Sequence, residues 1–486
     1  MRSSCLLCTI IALLALGMIA TPTTADQTQI STPDVDWQKC FGGTQFDHPT
    51  VIIEGTDGGY IVGGYTNSND GDVTGYVWSD PYRLSNIWIL KVDLDGSIAW
   101  QQCLGSESLG PEKWSYNLVS ILPSSDDGYV LYGQLIDEES VGSENQILVA
   151  KLDRYGDILW QNEFGDSGWN NYGDIISAKD SGYIFWWGQN QFLDSGSVIK
   201  LDENGEIVWR SNCFEHHEIL SIIPDRNFGY IAISAYRGDI GICRIDDNGN
   251  LLWQKCLGGT GSEYPSGIVQ TTDGGYIITG LTTSNDGDVT DYHGSSDIWV
   301  VKLTSEGNIE WQKCLGGTSE DSPSGMAQIV DNGYIVLGHT TSLDGDVIGY
   351  HGGGTYRADI WVVKLTSQGS IEWQKCLGGT KNEQPYSLLQ TADGGYLVAG
   401  NTASNDGDVN GFHGSEDIWV VKLTSEGSTE WQRCLGGGGY ERVTWGIDMG
   451  GILQTPDGGY ITTGMTESND GDVSGNHGSA DIWVVK

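Results

Sequence analysis

Residues 266–317 read SGIVQTTDGGYIITGLTTSNDGDVTDYHGSSDIWVVKLTSEGNIEWQKCLGG, and this stretch predicts the fold. The segments SGIVQ and YIITGLT flank an Asp-Gly-Gly turn, and DIWVVKL and IEWQKCL flank the turn TSEGN. Glycine and aspartate supply the turn conformations that antiparallel hairpins need. Both faces of DIWVVKL are apolar, which is typical of a strand covered on both sides. The stretch therefore predicts a four-stranded sheet packed between two neighbours.

The same unit recurs eight times, and three independent markers give this count. The marker related to WQKC places Trp37, Trp100, Trp160, Trp209, Trp253, Trp311, Trp373 and Trp431; DGGY places Tyr60, Tyr129, Tyr183, Tyr230, Tyr276, Tyr334, Tyr396 and Tyr460; DIWVVK ends at Lys91, Lys151, Lys200, Arg244, Lys302, Lys364, Lys422 and Lys486. No window has the helical period of a helical solenoid. Such sheets, packed face to face around an axis, predict an all-β fold, an eight-bladed β-propeller of four-stranded blades.

The two ends of the repeat region predict how the ring closes. A lone DVDWQKC strand surrounds Trp37, and a lone DIWVVK strand occupies residues 481–486. Pairing of the N-terminal with the C-terminal strand would complete the last blade and leave no exposed sheet edge. The expected organisation is a signal peptide at 1–25, a short linker at 26–34 and a single propeller domain at 35–486.

The N-terminal residues predict export. Arg2 precedes an apolar run from Cys5 to Ala20, and Thr23 and Ala25 fit the small-residue rule for cleavage. An uncleaved membrane anchor is the alternative, and no later segment is apolar enough to cross a bilayer. We expect the mature chain to be secreted or held at the cell surface, as a monomer.

The charge limits the classes of partner. The chain has 24 Lys plus Arg against 65 Asp plus Glu, a formal net charge of -41. Such a surface repels phosphate backbones and anionic membranes and attracts cations or basic partners. The composition therefore predicts no nucleic-acid partner and no membrane insertion of the mature chain.

Pairs of carboxylates recur in the loop between the second and third strands, in the motif NDGDV. Calcium takes oxygen ligands from Asp, Asn and backbone carbonyls, and Asp297 at the loop's base is a further candidate. A plain Asx-turn is the alternative. The recurring histidines are expected to cap or pack these loops, since each loop offers only one imidazole to a zinc ion; they are His293, His351, His413 and His477. The candidate calcium ligands are Asp70, Asp72, Asp286, Asp288, Asp344, Asp346, Asp406, Asp408, Asp470 and Asp472.

Seven cysteines follow the WQKC tryptophans by three or four residues. Equivalent positions in neighbouring blades should exceed the ~7 Å Cα separation that a disulfide tolerates. They are expected to be buried free thiols that pack between blades: Cys40, Cys103, Cys213, Cys256, Cys314, Cys376 and Cys434. Cys243 stands apart, and a bridge to Cys213 or Cys256 is left open.

Aromatic residues outside the repeat pattern are candidates for a ligand site. Flat rings beside carboxylates and amides suit sugar recognition by stacking and hydrogen bonding. Packing within the loops is the alternative. We assign them to the loops that link one blade to the next, on the same face as the acidic loops: Trp114, Tyr116, Trp169, Tyr172, Tyr440 and Trp445.

The order of DGGY, NDGDV, DIWVVK and WQKCLGG resembles a Kelch-type blade, in which the tryptophan strand lies outermost. More closely, it resembles secreted repeat proteins of methanogenic archaea and some bacteria. The resemblance spans roughly residues 35–486 and is weak between 160 and 250, where the acidic loop is missing. It implies a surface propeller and no particular reaction.

Three functions follow from these features. The first is a non-enzymatic extracellular binding or adhesion module, whose partner is a protein or glycan on a cell surface or matrix. The second is a carbohydrate-binding propeller with its aromatic site in the irregular blades. The third, a polysaccharide-active enzyme, has less support, because carboxylates that repeat by blade are unlike the unique acid pair of a glycosidase. The sequence also lacks the G-x-S-x-G and H-E-x-x-H motifs.

Overall fold

A computed structural model describes residues 32–76, 84–105, 114–137, 145–167, 173–187, 197–214, 217–227, 229–352, 357–443 and 451–486. The described chain forms eight antiparallel sheets, numbered here as blades in chain order. The strands of the first four blades follow β1 (Gln38–Phe41) and are β2 (Asp47–Glu54), β3 (Tyr60–Thr66), β4 (Asn86–Val92) and β5 (Ile98–Leu104); β6 (Trp114–Pro123), β7 (Tyr129–Asp137), β8 (Asn145–Leu152) and β9 (Ile158–Ser167); β10 (Gly173–Ser177), β11 (Tyr183–Trp187), β12 (Ser197–Leu201) and β13 (Ile207–Ser211); and β14 (Glu218–Pro224), β15 (Tyr230–Tyr236), β16 (Asp239–Ile245) and β17 (Leu251–Leu257).

Blades 5 to 8 follow the same pattern. Their strands are β18 (Glu263–Gln270), β19 (Tyr276–Thr282), β20 (Asp297–Leu303) and β21 (Ile309–Leu315); β22 (Asp321–Gln328), β23 (Tyr334–Thr340), β24 (Asp359–Leu365) and β25 (Ile371–Leu377); β26 (Glu383–Gln390), β27 (Tyr396–Thr402), β28 (Asp417–Leu423) and β29 (Thr429–Leu435); and β30 (Glu441–Arg442), β31 (Ile452–Gln454), β32 (Tyr460–Thr466) and β33 (Asp481–Val485). The first strand of blade 8 is described in two pieces, β30 and β31, which both pair with β32.

The strands in each blade pair in sequence order, as the repeat predicts. In blade 5 the order is β18-β19-β20-β21, with the tryptophan strand β21 at one edge. First strands of successive blades contact one another, so they lie at the inner rim of the ring and the tryptophan strands lie at the outer rim. The predicted eight-bladed β-propeller is confirmed.

The ring closes through the two chain ends. Strand β1 pairs with β33 in antiparallel register, with Gln38 opposite Val485 and Phe41 opposite Ile482. Beyond the strand, Lys486 donates its backbone N–H to the Trp37 carbonyl at 3.0 Å. β1 thus supplies the fourth strand of blade 8, and the predicted closure is confirmed. The edge of β33 that would otherwise invite intermolecular pairing is covered.

The core lies between blades rather than within one sheet. All residues of β20 are buried, and its Trp299 packs in one cluster with Ile231 and Ile233 of blade 4. The Trp299 indole donates Nε1–H to Gln312 Oε1 on β21 at 2.7 Å. A buried indole N–H needs such a partner, which accounts for the glutamine of the WQKC motif.

A second tryptophan set joins neighbouring blades at every junction except that between blades 7 and 8. The Trp311 indole of blade 5 donates Nε1–H to the Ser367 carbonyl at 3.2 Å, in the turn between the last two strands of blade 6. Its ring also lies against Gly369, where a Cβ would come within 2.7 Å of the indole. The same contact recurs around the ring, including Trp37 with Gly96, Trp100 with Gly156, Trp253 with Gly307 and Trp373 with Gly427.

Most of the cysteine prediction is confirmed. The described cysteines form no disulfide, and all except Cys256 are buried. Burial raises the pKa of Cys103 to about 12, so this thiol stays protonated and unreactive near neutral pH. Cys256 is exposed, contrary to the prediction. In blade 5, Val289 of the acidic loop packs in one cluster with Cys314, but in blade 4 a tight turn joins β15 to β16 and no acidic loop covers the thiol.

The contact between tryptophan and glycine gives a first prediction. Gly307 has φ 74° and faces Trp253, whereas Gly274 has φ 87° and no atom within 4 Å of the place where an alanine methyl would lie. Alanine is strained at both sites, by roughly 1–2 kcal/mol. We expect Gly307→Ala to lower the free energy of unfolding by a further ~1–3 kcal/mol, because the methyl displaces the indole. Urea unfolding of both variants measures the difference, and equal losses would contradict the proposed docking.

Ring closure gives a second prediction. Phe41 is 4 % exposed and packs with Ile482, while Lys39 in the same strand is exposed. Phe41→Ala should lower the free energy of unfolding by ~3–5 kcal/mol. Lys39→Ala is the matched control and should change it by less than ~0.5 kcal/mol. Urea unfolding monitored by tryptophan fluorescence tests the pair; a neutral Phe41→Ala would mean that β1 does not stabilise the ring.

Candidate binding face

The acidic loops and the blade-linking loops open on one side of the ring, termed here the upper face. Both connections leave the same ends of the sheets, since one joins the second strand to the third and the other joins the fourth to the next blade's first. The acidic loops and the blade-linking loops therefore contact each other. Asp286 Oδ1 accepts hydrogen bonds from the Thr260 backbone N–H at 2.7 Å and the Thr260 hydroxyl at 3.1 Å.

The first aspartate of every NDGDV motif or its relative makes this type of contact. Each one accepts a backbone N–H of the blade-linking loop before its blade, which fixes the two loops to each other. The pairs are Asp70 with Thr44, Asp286 with Thr260, Asp344 with Thr318, Asp406 with Thr380 and Asp470 with Gly438. These carboxylates therefore brace two loops against each other, which differs from the plain Asx-turn, in which the side chain bonds the backbone of its own turn.

The second aspartates lie at the junctions between blades, next to the recurring histidines. His293 Nδ1 is 2.7 Å from Asp297 Oδ2 in its own blade, and its Nε2 is 3.9 Å from Asp346 Oδ2 in the next blade. Three more junctions repeat this histidine bridge: His351 joins Asp359 to Asp408, His413 joins Asp417 to Asp472, and His477 joins Asp481 to Asp72. The fifth second aspartate, Asp288, accepts the Gly258 N–H at 3.2 Å.

The histidine bridges link blades electrostatically. Burial lowers the pKa of His477, but the hydrogen bond to Asp481 and the charges of Asp481 and Asp72 outweigh it, so the net shift is upward. A protonated imidazole between two carboxylates attracts both of them. The histidines thus pack and fix the loops, which is the role expected from the sequence.

A pair of buried carboxylates lies beneath each bridge. Asp297 begins the third strand of blade 5, Asp321 begins the first strand of blade 6, and both are fully buried beside Gly316. Asp321 Oδ2 accepts the Gly317 N–H and the Ser342 hydroxyl, each at 2.8 Å. Asp297 Oδ1 has no hydrogen-bond partner among the described residues. Equivalent fully buried pairs are Asp359 with Glu383, Asp417 with Glu441 and Asp481 with Asp47.

The buried pairs have altered proton affinity. Burial raises the pKa of Asp321 to about 6, against the opposing hydrogen bonds from Thr340, Gly317 and Ser342. The charge of Asp297 raises it further. Asp47 in the equivalent position behaves alike, also with a pKa of about 6. Two nearby buried carboxylates cannot both ionise without a counter-charge.

The upper face offers part of what a calcium ion needs. In the described chain, side-chain oxygens without hydrogen-bond partners occur at the second aspartates Asp346, Asp408 and Asp472, as they do at the buried Asp297. Each of these second aspartates also has a basic side chain within 4.0 Å, namely Lys313, Lys375 and Arg433 in that order. Carboxylate oxygens without hydrogen-bond partners suit a hard cation. Within the described ranges, however, no three His, Cys, Asp or Glu side chains are grouped closely enough to hold a metal ion. The side chains alone thus supply an incomplete coordination shell.

The predicted aromatic ligand residues lie apart from one another. Trp114 and Tyr116 belong to strand β6 rather than to a loop, contrary to the expectation, because β6 extends upward by several residues. Tyr116 is 5 % exposed and packs with Leu118 and Leu135 in the core. Tyr440 is 41 % exposed on the upper face, where the Arg442 guanidinium lies 5.0 Å from its ring centroid. Trp169, Tyr172 and Trp445 lie outside the described residues.

A cavity of about 580 Å³ opens where blades 7, 8 and 1 meet, and is termed here the closure pocket. It lies beside the upper ends of the first two strands of these blades, at the inner rim. Its lining contains aromatic, amide and charged side chains: Phe46, His48, Tyr65, Asn382, Gln384, Tyr386, Asn401, Ala403, Glu416, Arg442, Val443 and Met465.

Three rings form one wall of the closure pocket. The rings of His48 and Tyr65 are stacked, with centroids 4.9 Å apart and planes at 14°, and Phe46 is stacked against His48 at 5.8 Å. Burial lowers the pKa of His48 to about 4, so its imidazole is neutral at physiological pH. The wall is therefore uncharged.

The closure pocket is not predicted by the sequence. Phe46, His48 and Tyr65 have the pattern of ordinary strand residues, because they lie at strand ends within the repeat. A signal is nevertheless present: at these positions the residues differ between blades whose other positions are nearly identical, for example His48 in FDHP against Tyr264 in SEYP.

Comparisons with known proteins show the fold alone. No protein-family model matches the chain, and no curated protein matches its sequence significantly. The Dos1 propeller structure is similar, with a TM-score of 0.55 and 11% identity over 92% of this chain and 94% of that chain. Oligopeptidase B from Leishmania major has a TM-score of 0.47 and 10% identity over 87% of this chain and 53% of that chain. One fold can host many unrelated functions, so this likeness does not assign a role.

The buried carboxylates give a third prediction. The folded-state pKa of Asp321 and Asp47 is about 6, above the ordinary value of 3.8, so the native state holds more protons between these pH values. Their contribution to stability is fully present below the ordinary pKa and is lost as pH rises through about 6. The double variant Asp47→Asn, Asp321→Asn should therefore show a shallower fall of the unfolding free energy between about pH 4 and pH 7.

The control for this prediction is Glu306→Gln in an exposed turn. Unfolding free energies at four or five pH values are compared for the wild type and both variants. An unchanged slope in the double variant would show that these two carboxyls ionise in the native state as they do in the unfolded chain.

Proposed function

We propose that this protein is a non-enzymatic extracellular binding module, which presents its upper face to a protein or glycan on a cell surface or matrix. The observation that carries the proposal is the placement of variable residues: loops and strand ends that differ between blades gather on the upper face, above a framework that repeats. Binding proteins commonly use loops held by a rigid scaffold in this way. The apolar N-terminal run supports export, so we place the mature protein outside the cell, secreted or surface-bound.

The distribution of carboxylates supports binding rather than catalysis. A hydrolase of glycosidic bonds needs one pair of acids with distinct roles. Here the buried pair Asp297 and Asp321 has equivalents at other junctions, and the loop aspartates hold backbone N–H groups. Repeated, structurally engaged acids do not distinguish one reactive centre.

The proposal includes calcium at the acidic loops. The second aspartates Asp346, Asp408 and Asp472 have oxygens without hydrogen-bond partners in the described chain, and the formal net charge of -41 favours bound cations. Asp, Asn and backbone oxygens of these loops, with waters, would complete the six to eight ligands that calcium takes. Calcium would relieve repulsion among carboxylates at each junction and so stabilise the upper face.

Calcium gives a fourth prediction. Ligand binding to the native state stabilises it by about 2.7 kcal/mol per site at a hundredfold excess over Kd. We therefore expect the melting temperature to rise with calcium, and to rise less in Asp408→Asn. Glu306→Gln is the control for charge removal, and Mg²⁺ at equal concentration is the control for ionic strength. A melting temperature that does not change with calcium at millimolar concentration would contradict the calcium part of the proposal.

The binding role itself is tested with immobilised ligands. The purified mature chain is applied to an array of glycans and to an array of extracellular matrix proteins, and the same polysaccharides are assayed for release of reducing ends. Reproducible binding without product release supports the proposal. Release that is lost on mutation of a single acid would overturn it in favour of an enzyme.

Carbohydrate binding is a second candidate, and aromatic rings on the upper face favour it. Tyr440 is exposed there, and the sequence also places Trp169 and Tyr172 in a blade-linking loop. The comparison of Trp169→Ala with the wild type on the glycan array tests whether that loop contributes.

A further inference from the structure

Comparison of the repeats separates residues that build the blade framework from residues that are free to face a ligand. In blades 1, 5, 6, 7 and 8, an acid at the start of the first strand lies opposite a threonine at the end of the second. These pairs are Asp47 with Thr66, Glu263 with Thr282, Asp321 with Thr340, Glu383 with Thr402 and Glu441 with Thr466. Their side chains are buried and bind the framework. The pair is constant in these five blades, which identifies its positions as part of their framework.

The next cross-strand pair in each blade points to the opposite sheet face and shows no such constancy. The pairs are His48 with Tyr65, Tyr264 with Leu281, Ser322 with His339, Gln384 with Asn401 and Arg442 with Met465. Successive residues of a strand point to opposite faces, so adjacent positions can serve separate purposes. The framework does not select the second pair, because blades that are otherwise nearly identical accept such different residues.

Three of these variable pairs meet at the closure pocket. His48 with Tyr65, Gln384 with Asn401, and Arg442 with Met465 all line it, although they come from blades 1, 7 and 8. The sequence separation between His48 and Asn401 is bridged only by closure of the ring. The pocket is thus made of residues whose identity the repeat leaves free.

Two polar groups of the pocket have no partner among the described residues. Asn401 is 1 % exposed; its Oδ1 accepts the Val443 N–H at 2.9 Å, which orients the amide, and its Nδ2 donates to no described atom. His48 Nδ1 is likewise buried without a described hydrogen-bond partner. A buried amide N–H that donates to nothing is costly, and a bound ligand oxygen would remove that cost.

The charges of the pocket are already matched. Arg442 forms an ion pair with Glu416, with Nη2 2.7 Å from Oε2, and Nε donates to the same oxygen at 2.8 Å. The remaining lining is aromatic, amide or apolar, and the neutral His48 adds no charge. Within the described lining, no charged side chain is left unpaired that could bind an ionic ligand. The chemistry that remains is a stack of aromatic rings together with amides that donate and accept hydrogen bonds.

We propose that the closure pocket binds an uncharged sugar, namely the end of a neutral oligosaccharide. The apolar face of a pyranose ring packs against the outer face of the stacked Tyr65 and His48 rings, and ring hydroxyls accept from Asn401 Nδ2 and bond with Gln384 and Tyr386. A volume of about 580 Å³ is within the range of ligand pockets and holds more than one sugar ring. This inference deepens the proposed binding function and rests on it, while it places the ligand at blades 7, 8 and 1 rather than in the irregular blades.

Saturation-transfer NMR on the full mature protein tests the site. The probes are the methyl glycosides of glucose, galactose, mannose and N-acetylglucosamine, together with maltose, cellobiose, lactose and diacetylchitobiose. At least one probe should receive saturation at its ring protons, and sialyllactose, which is charged, should bind more weakly than lactose. Titration then gives the affinity of the best probe.

The variants are chosen to separate binding from folding. Tyr65→Leu removes the stacking surface, and Gln384→Ala removes an exposed amide whose loss the framework tolerates. Each should weaken the best probe about tenfold, which corresponds to the loss of one stacking or hydrogen-bonding contact. Tyr264→Ala is the matched control, because Tyr264 holds in blade 5 the strand position of His48 in blade 1 and lies outside the pocket lining.

The outcomes separate this inference from the proposed function. Weakened binding in Tyr65→Leu and Gln384→Ala, with Tyr264→Ala unchanged, supports the site. Equal affinity in all variants overturns the closure pocket while glycan binding elsewhere still supports the proposed function. No saturation of any neutral probe overturns the sugar inference, and binding to matrix proteins on the array would then support the proposed function without it.

Discussion

The contact of a tryptophan with the glycine of a neighbouring turn holds the ring together. Trp311 covers Gly369 and bonds the adjacent Ser367 carbonyl, so an apolar surface and a polar backbone group of the next blade are satisfied by one side chain. A larger residue than glycine would push the indole away. Seven of the eight junctions have this contact; blades 7 and 8 lack it, because the last two strands of blade 8 are the chain ends and no turn joins them. The contact thus fixes most blades to their neighbours and keeps the framework uniform.

Because the framework is uniform, residues of the upper face can serve purposes other than holding the blades together. There, aspartates of the acidic loops bind backbone N–H groups of the blade-linking loops, and histidines such as His293 join carboxylates of adjacent blades. These polar contacts hold the loops of adjacent blades together, as the tryptophans hold the outer rim together. They also concentrate negative charge: Asp297 and Asp321 are fully buried side by side, and burial raises the pKa of Asp321 to about 6. Order on this face is thus linked to protons and, in our proposal, to calcium.

The closure pocket is lined by strand positions whose residues differ from blade to blade. The alternation of a strand separates the acid and threonine that build the blade from the adjacent pair that faces the inner rim. At blades 7, 8 and 1 this second pair supplies rings, amides and an ion pair to one cavity. Equivalent positions in blade 5 hold Tyr264 and Leu281. A cavity with a lining of its own therefore arises among the described residues of similar units, which a purely repetitive surface would not provide.

The sequence by itself determined the architecture. Turn residues, two-sided apolar strands and eightfold markers are local patterns, and β pairing between neighbours in the chain turns them directly into blades. Closure could also be predicted, because the repeat pattern has one extra strand before the first blade and lacks one strand in the last blade. The tryptophan and glutamine of the WQKC motif could be recognised in the sequence for the same reason, because each contacts its own blade or the adjoining one.

Only the tertiary structure decided which side chains meet across the ring. His48 and Asn401 line one cavity because curvature brings blade 7 close to blade 1, and no local pattern records that distance. The pairing of Asp297 with Asp321 depends on how blades 5 and 6 pack together. The exposure of Cys256 depends on the tight turn between β15 and β16, which leaves the thiol uncovered. The sequence places Tyr116 in a loop, yet β6 continues through it and buries its ring, since strand length is set by pairing with β7. The repeat pattern determines the blades, whereas packing between blades determines which side chains line the closure pocket.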